Sequence, residues 1–144
     1  MKLVFLLNVA STLMMTGVIW FVQIVHYPLF SRVGLAEFAR YEIAHSNLTG
    51  IVVVPLMLTE LATAMLLVWQ RPPHLSFSWL VTGLALVALV WATTFFLSVP
   101  QHSKLSLGFD LAAHRTLVMT NWIRTAAWTA RSLIVLSLLG KLMK

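Results

Sequence analysis

Three charged side chains lie inside stretches that are otherwise apolar enough to cross a bilayer. Glu60 falls in the run 48–69, and Arg124 and Arg131 fall in the run 117–139. A charge in hydrocarbon is costly by any measure, so such residues must face the interior of a bundle, where they tend to mark function. Two further runs, 3–25 and 77–99, carry no charge. Each of the four has about the 20 residues that a membrane helix needs. The chain is 60% hydrophobic and only 10% charged over 144 residues, more apolar than a soluble domain of this size requires. The expected fold is therefore all-α: one domain over 1–144, an integral membrane antiparallel four-helix transmembrane bundle.

The opening MKLVFLL imitates a signal peptide, but the apolar run continues to Val25 and Asn8 interrupts it early. It reads as a first membrane helix. Prolines at 28, 72, 73 and 100 punctuate the links and are expected to stop helices there. The link 70–76 is a tight turn, whereas the two outer links are longer and partly helical, with 35–46 extending the second helix. Pro55 is expected to kink the second span beside a cavity.

Cysteine is absent, which removes disulfides and thiolate metal sites. The formal net charge is +6, but the cations are scattered, favouring contact with anionic lipid over nucleic acid. Lys2, Arg71, Lys141 and Lys144 fall on one side of the bundle, and Arg32, Arg40, Lys104 and Arg115 on the other. The positive-inside rule is thus balanced. The reading carried forward is a bacterial inner-membrane protein with both termini cytoplasmic.

Helical periodicity groups the polar residues into inward stripes. Asn8, Thr12, Thr16, Gln23 and His26 share a face of the first span. Tyr41, His45, Thr49, Glu60 and Thr63 share one on the second, and Asn121, Arg124, Trp128 and Arg131 one on the fourth. Glu60 and Arg131 lie about 18–21 Å into their spans at 1.5 Å per residue, and Asn8 reaches a similar level from the opposite direction. An ion pair between Glu60 and Arg131 is expected there, as a structural or a functional element.

A second layer lies at the other end. His26, His45, His102 and His114 converge on it with Tyr41, Glu42, Asp110, Asn121 and Arg124, while His74 sits in the opposite turn. Neutral imidazole is the commonest metal ligand and also an acid or base near neutral pH. Glu42-Ile-Ala-His45 places carboxylate and imidazole on one helical face. Carboxylate-bridged di-iron bundles use such an element twice, and only one copy is present here. A His-rich mononuclear or dinuclear copper or iron site, or a haem with histidine ligation, stays open. Against these stands the plainer reading of histidines merely solvated at an interface.

Residues 20–30, WFVQIVHYPLF, with 100–105, PQHSKL, and 121–125, NWIRT, resemble the anthrone-oxygenase-like group of small four-helix membrane proteins. A Pro-x-(polar)-x-x-Leu stretch after the third span and an Asn-x-x-Arg element in the fourth recur in that group. The first stretch is also similar to the protoporphyrinogen-oxidase type of four-helix haem protein, which ranks second. Both resemblances imply oxidation of flat, lipophilic molecules.

The expected activity is thus a metal- or haem-dependent membrane oxidoreductase or oxygenase acting on a lipophilic aromatic or quinone-like substrate. In this reading His26, His45 and His102 hold the cofactor with Glu42 or His114 as an additional metal ligand, Asn121 and Arg124 orient substrate or stabilise a developing oxyanion, and Tyr41 or Tyr27 relays a proton. The expected partners are membrane lipid, the lipophilic substrate and, in a homo-oligomer, a second copy. The alternatives are a proton-coupled small transporter, a lipid-ligand binder, or an accessory subunit of a membrane complex.

Overall fold

The computed structural model describes Met1–Leu142. Four long helical stretches make up almost all of it: α1 (Lys2–Arg32), α2 (Leu35–Gln70), α3 (Phe77–Leu105) and α4 (Leu111–Leu142). No strand occurs among the described residues. The first three are long and apolar enough to cross a membrane. α4 is as long, but Arg115, Arg124 and Arg131 with their polar neighbours make it less apolar.

The helices outrun the spans read from the sequence. Pro28 and Pro100 do not end α1 and α3, because each lies two residues past a wider π-helical turn, Val22–His26 and Thr94–Ser98. A proline ring clashes with the carbonyl four residues back and lacks the matching N–H. Widening the preceding turn relieves both problems and lets the helix continue, and such turns are frequent at functional sites. α2 likewise runs unbroken through Pro55. It does end before Pro72-Pro73, where Arg71 adopts a left-handed conformation (φ 45°) and its N–H bonds the carbonyl of Leu67. At the start of α4, Asp110 Oδ1 accepts the backbone N–H of Ala113 at 2.7 Å, which makes Asp110 a helix cap.

Side-chain contacts fix the helix directions. Along α1, Asn8 meets Thr63 and His26 meets His45, so α2 descends as α1 rises. Thr16 meets Ser132 and Gln23 meets Asn121, so α4 also runs against α1. Arg124 of α4 reaches Thr94 of α3.

The interior is layered. Phe5, Val9, Leu67, Leu80 and Leu138 form an apolar layer near the termini. Met15, Ile19, Met57, Val90 and Trp128 form a middle one. Tyr27, Phe30, Phe38, Leu105 and Leu117 form a third. Two polar layers alternate with these three. Meanwhile Leu3, Phe21, Ile51, Leu58, Phe96 and Leu133 are exposed, so the outer faces carry many large apolar side chains.

Candidate functional site

The polar layer nearer the termini is an ion pair with every partner supplied. Arg131 Nε donates to Glu60 Oε1 at 2.6 Å, and its Nη2 donates to Asn8 Oδ1 at 3.1 Å. Thr12 donates to Glu60 Oε1 at 2.8 Å, and the Trp128 indole N–H donates to Glu60 Oε2 at 2.9 Å. Asn8 completes the ring by donating to Thr63 at 2.8 Å. Gly83 makes room for the guanidinium, since a Cβ there would lie 2.8 Å from Arg131 Nη1. Arg131 and Glu60 are both almost wholly buried, and no cavity of useful size adjoins them.

The other polar layer is built around Tyr27. His102 Nδ1 lies 2.5 Å from Glu42 Oε1, and its Nε2 lies 2.9 Å from the Tyr27 hydroxyl. The ring thus bridges a carboxylate and a phenol; in the arrangement with an acceptor-only carboxylate and a neutral ring, Nδ1–H donates to Glu42 and Nε2 accepts the Tyr27 O–H. The same hydroxyl oxygen accepts from Arg124 Nη2 at 3.3 Å. Arg124 also donates to Asn121 Oδ1, and Asn121 donates to Gln23 Oε1 at 2.7 Å. The relay therefore runs Glu42–His102–Tyr27–Arg124–Asn121–Gln23 and draws on all four helices.

Two buried atoms in this layer have no hydrogen-bond partner among the described residues: Glu42 Oε2 and Arg124 Nε. Glu42 is 0% exposed and Arg124 8%. Unpaired groups at such depth call for a reason. Glu42, His45 and His102 each offer a donor atom within 4.8 Å of the others, a spacing compatible with one metal ion. A cavity of about 430 Å³ opens beside them, walled by Met15, Ile19, Val53 and Trp128 and lined by Tyr27, His45, His102 and Arg124.

The remaining candidates take other places. His26 Nε2 stands 2.7 Å from His45 Nδ1, closer than two ligands of one ion usually approach, which makes it a partner of His45. Thr49 Oγ1 contacts that same nitrogen at 3.0 Å. His114 Nε2 donates to the backbone carbonyl of Tyr27 at 2.7 Å, so this nitrogen pins the tyrosine's helix. Tyr41 packs against Phe30 and His26 at the edge, outside the relay, and Tyr27 occupies the position expected of it. His74 lies in the opposite turn, beside Leu75 and Pro72. The sequence does not separate Tyr27 from Tyr41 as the proton relay. The signal for Tyr27 was the single turn separating it from Gln23, which aims both side chains at Asn121 and Arg124. Gly83 gave no signal at all.

Comparison with known proteins returns nothing: no family model, no curated protein and no solved structure matches the chain. The likeness to the anthrone-oxygenase-like group therefore rests on the short stretches that suggested it.

Proposed function

We propose that the chain is a four-span membrane protein that holds a single redox metal ion, iron foremost, at Glu42, His45 and His102, and oxidises a lipophilic substrate in the adjoining cavity with dioxygen as the electron acceptor. Membrane embedding is supported by the inverted surface: apolar outer faces around two polar layers, with only 28–39% of the most apolar stretch of each of the first three helices buried. The metal reading is carried by one observation. A fully buried carboxylate, Glu42, has one oxygen unpaired and two imidazoles within ligand distance of it.

Two histidines and one carboxylate with open positions are the donor set of non-haem Fe(II) oxygenases. The single E-x-x-H element supplies two of the three, and His102 after the π-helical turn of α3 supplies the third. This set suits a lone ion better than a porphyrin. With His26 and His45 in direct contact, no macrocycle fits between them. Glu42, His45 and His102 would hold the ion, and its binding would displace the proton between His102 and Glu42, because ligands bind metal deprotonated. The contact of His45 Nδ1 with His26 and Thr49 would then orient its ring, as outer partners of metal-bound imidazoles do.

The chain's own groups handle the rest. The Tyr27 hydroxyl is held between His102 Nε2 and Arg124 Nη2 and lines the cavity, where it would orient a bound substrate. A groove lined by Phe21, Val52 and Tyr41 adjoins the inner cavity, with His45, Val22 and Val53 lining both, and would offer substrate an entry from the lipid side. Proton-coupled transport has weaker support, because the apolar layer of Met15, Met57 and Val90 separates the two polar layers.

Cobalt titration tests the reading. Co(II) added to metal-free protein should give visible ligand-field bands that saturate at one ion per chain and shift with azide, as an open position requires. Glu42→Gln and His45→Ala should each abolish them. A spectrum without saturable bands, or bands unchanged in both variants, contradicts the proposal.

A further inference from the structure

The chain holds four acidic side chains, and each has an assignment. Glu37 faces Arg40 on the surface at 3.9 Å, Glu60 pairs with Arg131, Glu42 bonds His102, and Asp110 caps α4. None is left for Arg124. Among the described residues no carboxylate lies within salt-bridge distance of it, although it is 8% exposed. Its neutral partners satisfy it poorly: Thr94 at 3.4 Å, Tyr27 at 3.3 Å and the Asn121 amide, with Nε unpaired. A guanidinium is always charged, and a buried charge is expected to be paired.

Arg124 lines the cavity of about 430 Å³, whose other walls are largely apolar side chains such as Met15, Val18, Ile19 and Trp128. That volume lies within the range of small-molecule sites. We infer that the missing counter-ion is the ligand: the cavity takes a lipophilic monoanion, with a carboxylate or phenolate-type oxygen at Arg124 and an apolar body against Met15, Ile19 and Trp128. As a statement about substrate the inference rests on the proposed oxidation site. As a statement about anion binding it depends on Arg124 and the cavity alone. Asn121 acts here as a positioning residue, holding the guanidinium toward the cavity while Gln23 holds Asn121.

The test uses the full chain, stripped of metal and kept in neutral detergent. Naphthoate and its uncharged counterpart naphthalenemethanol are titrated by calorimetry. Naphthoate should bind saturably and about tenfold or more tighter than the alcohol. Arg124→Gln should lose that preference, and Arg124→Lys, which keeps the cation, should retain part of it. Equal affinity for the two probes, no saturable naphthoate binding, or an undiminished preference in folded Arg124→Gln overturns the inference. The wild-type comparison decides the matter even where a variant misfolds. Repeating the titration with Co(II) bound separates the two proposals. Anion preference without any metal binding removes the metal site alone, whereas anion binding that needs the metal and ignores Arg124 removes this inference alone.

Discussion

Arg124 and Arg131 occupy the same face of the same helix, about two turns apart, yet their surroundings differ in kind. Arg131 meets a carboxylate, an asparagine and a glycine that clears space for it. Arg124 meets a hydroxyl, an amide and a cavity. One layer closes on itself and the other is left open by one negative charge. The difference teaches how to read charges in an apolar interior: burial alone does not mark a site, and what matters is whether the chain supplies the counter-ion. A complete pair ties helices together, and an incomplete one implies something that arrives from outside.

The sharpest way to break this contrast is to unpair the closed layer. Glu60→Gln leaves Arg131 buried without its carboxylate and should destabilise the bundle by about 3–5 kcal/mol in a detergent unfolding titration. Adding Arg131→Gln should restore part of that loss, and additive losses would count against a pair. Trp128→Phe removes the N–H from Glu60 Oε2 and should cost about 1.5–3 kcal/mol. Gly83→Ala drives a methyl against a guanidinium held at both ends and should cost about 1–3 kcal/mol in the same titration. Arg124→Gln should behave oppositely. It deletes a cation that has no acid partner, so stability should move by less than about 1 kcal/mol while anion binding is lost. A loss as large as that of Glu60→Gln would mean that Arg124, too, is a structural member.

Much of this was legible beforehand, for physical reasons. Charges in apolar runs have few solutions, so Glu60, Arg131 and Asn8 could be placed at one level from residue count and rise alone. The stripes on the first, second and fourth spans followed from helical period. The Glu42–His45 spacing suggested two members of the carboxylate–imidazole group, and the layer holding His102 suggested the third. What stayed hidden depends on side-chain direction and backbone detail. Prolines at 28 and 100 read as stops because the π-helical turns before them have no composition of their own, and those turns re-aim Gln23, Tyr27 and His102. His26 and His114 look equivalent to His45 in sequence. They differ only in which atom each ring meets, a neighbouring imidazole for one and a backbone carbonyl for the other. Gly83 matters solely through a side chain on another helix.

Metal analysis across the two layers tests the contrast most directly. Protein purified without an affinity metal, then loaded anaerobically with Fe(II) and desalted, would be assayed for iron per folded chain in wild type, Glu42→Gln and Glu60→Gln. One iron in wild type, none in Glu42→Gln, and one per folded chain in the less stable Glu60→Gln is the predicted result. Iron-free wild type, or equal iron in Glu42→Gln, would contradict the division into an open site and a closed strut.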